Sequence, residues 1–266
     1  MQVEEITTAD IGLLPELQPD GWPDITPHFR FYVSQSFCNP LKFSIFGKIV
    51  GTGAIIFHRN SAWLGHILVH KDYRNRGIGA LITETLVDRV RQSGREKISL
   101  IAAPMGEPIY RKLGFERELE YYFFRNVDFI ARSVAEPRIQ EYSAAYFDQL
   151  LSLDREATGE DRSVLLREFL EEAKVFVDHG VLRGFYLPAL SEGLVVAKDT
   201  EAGLKLMELR LCNVQVAVMP DTNIAAADFL LKNDFKLVQQ GWRMRLGKQL
   251  SYDSRLIFNR IGGNMG

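Results

Sequence analysis

From Ile78 onward the apolar positions fall at Ile78, Leu81, Ile82, Leu86 and Val90, while Glu84, Asp88 and Arg91 take the other face. That spacing predicts an amphipathic helix, with Gly94 suited to its C-terminal end. Elsewhere the apolar residues come in shorter runs without helical period. Val3 to Ile6, Leu41 to Phe46, Ile49 to His58, Trp63 to Val69, Lys97 to Ala102 and Glu118 to Arg125 read as strands. Gly47-Lys48 between two of them is a two-residue hairpin signal, with glycine where positive φ is inexpensive. Shorter helices fit Thr8 to Leu17, Thr26 to Ser36 after the turn Gly21-Trp22-Pro23-Asp24, and Pro108 to Leu113 before Gly114. The resulting order is βααβββαβαβ.

After a Pro-containing stretch, Ala131 to Pro137, the order runs again. Helices fit Ala144 to Leu153, Ser163 to Ala173, Thr200 to Leu209 and Thr222 to Leu231. Strands fit Lys174 to Val177, Leu182 to Pro188, Gly193 to Ala197, Val214 to Met219 and Phe235 to Arg245. The ends match best, with "IYRKLGFERE" opposite "FLLKNDFKLV". The pattern predicts an α/β protein with mixed sheets, duplicated internally, with domains at residues 1–132 and 133–266.

Composition narrows the classes open to such a chain. Its 266 residues suffice for two ordinary domains, and 46% hydrophobic with 25% charged residues is normal for a soluble globular protein. A net charge of −2 supplies no positive field for a polyphosphate backbone, so nucleic acid is not an expected partner. Cys38 and Cys212 cannot build a disulfide framework, which fits a reducing cytoplasm. The opening MQVEEITTADIG is acidic where a secretory signal is basic, and no run approaches the roughly 18 apolar residues of a membrane span. Five scattered histidines form no metal-ligand spacing, so no metal is expected. Oligomeric state is not readable.

The segment "HKDYRNRGIGALI" joins a predicted strand to the predicted helix. A helix start leaves backbone N–H groups without partners at the positive end of the helix dipole, and such an end attracts anions. Gly77 and Gly79 remove side chains that would hold a phosphate away, and Arg74 and Arg76 add bidentate donors. The demand is that of a pyrophosphate. A dinucleotide fingerprint would want a small residue at Ile82, and a Walker loop would need Gly-Lys-Ser/Thr, so neither applies.

"VHKDYRNRGIGALI", followed by helix, apolar strand and "EPIYRKLGF", resembles the GNAT superfamily of acetyl-coenzyme A dependent N-acetyltransferases over roughly residues 3–125. The whole chain resembles bacterial tandem proteins in which a GNAT half is followed by a degenerate GNAT-like half, a likeness carried by "ATGEDRSVLLREFL" and "IFNRIGGNMG". The resemblance implies that Arg74, Asn75, Arg76, Gly77, Ile78, Gly79 and Ala80 hold the coenzyme A pyrophosphate. It also implies that the acyl pantetheine lies along Ile67, Leu68 and Val69, and that Tyr110 is the general acid. His66 lies near the position where several members of the family carry a glutamate base; histidine titrates in the useful range, and water is the alternative base. Ala103 stands where the family has an asparagine.

In the second half the equivalent of the loop is "AKDTEAGLKL", with Gly203 alone and acidic residues in place of arginines, and Leu230 matches the tyrosine. This half is expected to have lost catalysis and to serve as a scaffold or acceptor-pocket wall. Asp154 and Asp161 of "LDREATGED" are candidates for holding a cationic amine, as are Trp22 and Asp24 in the loop the resemblance sets beside the acceptor. The expectation is acetyl transfer from acetyl-coenzyme A to a primary amine, a small molecule or amino acid. The rival is a sensor that binds acyl-coenzyme A without catalysis.

Overall fold

The computed structural model describes residues 1–130 and 136–266, so the expected boundary between positions 132 and 133 lies outside the described residues. The chain divides into two compact units that do not follow chain order. Unit 1 comprises Met1–Glu116, Met244–Lys248 and Gly263–Met265; unit 2 comprises Arg117–Arg243, Gln249–Gly262 and Gly266.

Unit 1 begins with β1 (Gln2–Glu5), a 3-10 helix over Thr8–Leu17 and α1 (Thr26–Ser34). Strands β2 (Cys38–Ile45), β3 (Lys48–Phe57) and β4 (Ala62–Val69) follow, then α2 (Ile78–Gln92), β5 (Lys97–Ala102) and α3 (Glu107–Lys112). The sheet order is β1-β2-β3-β4-β5. The first three pairings are antiparallel and β4 pairs with β5 in parallel. The hairpin between β2 and β3 turns at Phe46 and Gly47, one residue earlier than Gly47-Lys48, and both take the positive φ of a primed turn. One face of the sheet buries Ile82, Leu86 and Val90 of α2, the stripe that the 3.6-residue spacing marks. Leu81, placed with that stripe by spacing, is 41% exposed.

Unit 2 takes up β6 (Glu116–Arg125) from Arg117 onward. It continues with β7 (Ile139–Glu141), α4 (Phe147–Thr158), the single turn α5 (Ser163–Leu166), β8 (Lys174–Asp178), β9 (Val181–Leu187) and β10 (Leu194–Ala197). Helix α6 (Thr200–Leu211), β11 (Val216–Pro220), α7 (Ile224–Lys232), β12 (Lys236–Gly247) and β13 (Ile257–Asn259) complete the chain. A five-stranded sheet runs β13-β10-β9-β8-β7, and β6 pairs antiparallel with β11 from Tyr121↔Pro220 to Arg125↔Val216. The apolar core of this unit gathers Leu206 and Met207 of α6, Leu230 of α7 and Phe258 of β13.

The duplicated order is therefore present, but the units do not divide at its midpoint. Most of β6, which closes the first half in sequence, is counted in unit 2, and the end of β12, residues 244–247, is counted in unit 1. There Lys248 N–H donates to the Glu96 carbonyl at 2.9 Å.

Candidate active site

In unit 1 the site grows out of an irregularity in β4. Ala54 pairs with Gly65 and Thr52 with Leu68, so His66 and Ile67 stand opposite the single residue Gly53. This bulge forces His66 to φ 48°, a left-handed conformation that costs a residue with a Cβ about 1 to 2 kcal/mol. Before the bulge β4 pairs with β5 at Ala62↔Ile98 and Trp63↔Ser99. After it, Leu68 and Val69 keep their partners Thr52 and Gly51 on β3, and no pairing with β5 is recorded there among the described residues. Ile67, Leu68 and Val69 thus lie on a strand whose second edge is open. The Val69 carbonyl accepts from Arg74 Nε at 3.1 Å.

The loop after β4 ends at Gly77, the residue preceding α2, with φ 79° and no capping side chain. A Cβ there would meet nothing within 4 Å, so the backbone conformation and not crowding favours glycine. Arg74, Asn75, Arg76 and Gly77 are exposed, Gly79 and Ala80 half-buried, and Ile78 anchors the helix in the core. The N–H groups of Ile78, Gly79 and Ala80 precede the first intrahelical bond, Leu81 N–H to Gly77 O at 3.1 Å. Arg76 lies over the Tyr73 ring, 5.5 Å from its centroid. The loop residues named from sequence are therefore brought together around one uncapped helix start.

Tyr110 sits on α3, 9% exposed, with its ring against Phe115 at 6.0 Å. Burial pushes its phenol up to about 12, so the proton stays on at neutral pH. His66 differs from expectation. Burial, reinforced by His28, lowers it to about 3. A lowered imidazole basicity favours the alternative base, water, over His66. Its Nδ1 lies 2.9 Å from the Tyr32 hydroxyl. Around its ring stand His28 at 4.9 Å, Phe29 at 5.3 Å and Trp22 at 6.5 Å. Tyr32, which sequence reasoning missed, comes from α1.

Of the acceptor candidates, Trp22 is 48% exposed beside His66. Asp24 is exposed, but its carboxylate accepts from Thr26 N–H and Oγ1 at 2.9 and 2.8 Å, and these bonds hold it below the usual range. The two acidic candidates lie in unit 2. Asp154 is 1% exposed and bound at both oxygens by Arg162, which leaves it no face for a cationic amine; that expectation is corrected. The reason is that α4 continues to Thr158 and Asp154 joins Leu150, Leu153 and Ala157 on its inward face. Asp161 is paired with Arg155 at 2.7 Å.

The matching region of unit 2 is occupied by the chain itself. Asp199 precedes α6, and its carboxylate accepts from Ala202 N–H at 3.0 Å and pairs with Arg183 at 2.7 Å. β10 has β9 along one edge and β13 along the other. β13 is tied also to β11, since Val218 N–H donates to Asn259 Oδ1 at 2.8 Å and Arg260 N–H to Val218 O at 2.9 Å. The Phe258 ring would stand 2.2 Å from a Cβ on Gly203, so this glycine is a packing residue. Leu230 is fully buried, and Asn223 caps α7 by accepting from Ala226 N–H.

Among the described residues no helix is long and apolar enough to cross a membrane, and no group of three or more His, Cys, Asp or Glu could hold a metal ion. Sequence models described as Acetyltransferase (GNAT) domain match residues 41–131 and 150–259. A Pyrococcus horikoshii protein described provisionally as an acetyltransferase shares the fold over 100% of this chain and 95% of its own, at TM-score 0.83 and 21% identity. A tandem GNAT protein from the clavulanic acid biosynthesis pathway matches over 92% of this chain and 98% of its own, at TM-score 0.62 and 13% identity. A GCN5-related N-acetyltransferase from Kribbella flavida covers 92% and 70%, at TM-score 0.56 and 18% identity. The chain belongs to the GNAT acetyltransferase family and carries two GNAT domains in tandem.

Proposed function

We infer that unit 1 transfers an acetyl group from acetyl-coenzyme A to a primary amine. The observation that carries this reading is the uncapped start of α2 at Gly77, with Arg74 and Arg76 exposed beside it and the open edge of β4 leading away. The pyrophosphate would take the N–H groups of Ile78, Gly79 and Ala80 with the two arginines, and the pantetheine arm would extend along Ile67 to Val69.

The amine nitrogen attacks the thioester carbonyl, the C–N bond forms, and the C–S bond breaks as the tetrahedral centre collapses. Tyr110 gives its proton to the departing sulfur, and the new ammonium centre loses one to water, which the low basicity of His66 leaves as the base. Holding both reactants in line is the main contribution such a site can make. A small amine or amino acid is the favoured acceptor. The sensor reading draws on Ala103, where an expected coenzyme contact is missing, and would announce itself as binding without turnover.

Calorimetric titration with acetyl-coenzyme A should give one site per chain. Tyr110→Phe should keep that affinity and lose roughly a hundredfold in kcat on a panel of primary amines. Absence of binding, or full turnover by the variant, would overturn the assignment.

A further inference from the structure

The chain's last residues return to unit 1. Asn264 is 7% exposed, and its Nδ2 donates to the Tyr32 hydroxyl. The same hydroxyl lies 2.9 Å from His66 Nδ1, and it donates its own proton there when the imidazole carries its proton on Nε2. An imidazole that accepts at Nδ1 carries its proton on Nε2. Three side chains from three separate parts of the sequence thus form a line of hydrogen bonds ending at the β4 bulge. The backbone is shaped to admit it, since a Cβ on Gly65 would meet Asn264 Cβ at 2.6 Å and Cα at 2.9 Å. Met265 is seated by the same packing, its carbonyl 3.2 Å from His58 Nε2.

We propose that Asn264 is a positioning residue of the acceptor site, acting through Tyr32 to hold His66 as the Nε2–H tautomer, and that this fixed donor selects an amine bearing a carbonyl oxygen beside it. This rests on the acetyltransferase reading of unit 1. His66 is half-buried with its ring beside Trp22 and His28, and its Nε2 makes no hydrogen bond among the described residues. The surroundings are aromatic, and the nearby carboxylate of Asp24 is engaged by Thr26. A site of this kind offers little to a polycation. It offers a neutral donor to an oxygen acceptor, which is the chemistry of an α-amino amide or a peptide N-terminus.

The first readout needs no turnover. In the full chain with 15N-labelled histidine, the imidazole correlation pattern should show His66 as Nε2–H, and Asn264→Ala and Tyr32→Phe should convert it to a tautomer mixture while circular dichroism stays unchanged. Titration with alaninamide should shift the His66 Nε2–H signal, and sec-butylamine, of similar shape without the carbonyl, should not. In turnover, Asn264→Ala should raise KM for alaninamide roughly tenfold, the worth of one such hydrogen bond, with the coenzyme A affinity untouched. An unaltered tautomer in folded Asn264→Ala, or equal shifts or none from the two amines, would overturn the proposal. Failure of coenzyme A to bind in the calorimeter would instead sink the acetyltransferase reading, and the tautomer experiment would still decide the role of Asn264.

Discussion

Two helix starts, one in each unit, occupy the same place in the repeated order and have opposite electrostatic outcomes. At α2 the preceding residue is Gly77 in a left-handed conformation, without a side chain to cap the exposed N–H groups. At α6 the preceding residue is Asp199, whose carboxylate sits on Ala202 N–H. A carboxylate at that point satisfies the same dipole and donors that would otherwise draw a phosphate. The strands repeat the contrast, because β4 has an open edge past its bulge and β10 is paired on both sides. The same architecture therefore accommodates either arrangement. In unit 2 the chain supplies a carboxylate and a strand where unit 1 has an uncapped helix start and an open strand edge.

The most severe way to break this comparison is to give the first helix start what the second already has. Gly77→Asp places a carboxylate in a left-handed position beside the open N–H groups, and acetyl-coenzyme A affinity should fall by more than about a hundredfold in calorimetry. Undiminished binding would remove the pyrophosphate assignment. The reverse experiment, Asp199→Gly, should leave one site per chain, because β13 and Phe258 still fill the region. A second site appearing would mean that the carboxylate alone had closed it.

Glycine substitutions sharpen the contrast further. Gly203→Ala drives a methyl group into the Phe258 ring and should cost about 3 kcal/mol in chemical denaturation, whereas Gly77→Ala meets open space and should cost about 1 kcal/mol from its φ alone. Equal costs would show that the close approach in unit 2 relaxes freely. A gentler effect concerns pH. His66 is held neutral down to about 3, below its ordinary 6.5, so the unfolded chain binds the extra proton first as pH falls. Its contribution to stability is complete above pH 6.5 and declines towards pH 3, by at most about 1.4 kcal/mol per pH unit. His66→Gln should flatten that part of the stability profile. An identical profile would mean that the ring titrates normally.

Much of this was legible in the chain. Lys97 to Ala102 was bounded correctly because an uninterrupted apolar run between polar residues has few other solutions. The uncapped helix start at Gly77 was legible because glycine serves it through local backbone conformation. β13 was not, being three residues long and too short to show alternation. Asp154 was misread because the helix was ended at Leu153, although Leu150, Leu153 and Ala157 already marked the stripe that includes it. Asn264 and Tyr32 lie 232 positions apart, and no periodicity reports a contact over that separation. The division of the units is hidden for the same reason, since a strand reads identically whichever unit it joins.

That division bears on how the protein is made. Unit 1 includes residues 244–248 and 263–265, so its sheet and its Tyr32 contact wait for residues far along the chain to leave the ribosome. The usual order, in which an N-terminal domain folds while the rest is still being synthesised, is closed to it. At the ordinary elongation rate of roughly 5 to 20 residues per second, the nascent first half spends on the order of ten seconds without its last strand. During that interval the edge of β5 is bare, and a bare strand edge is a template for pairing with another chain.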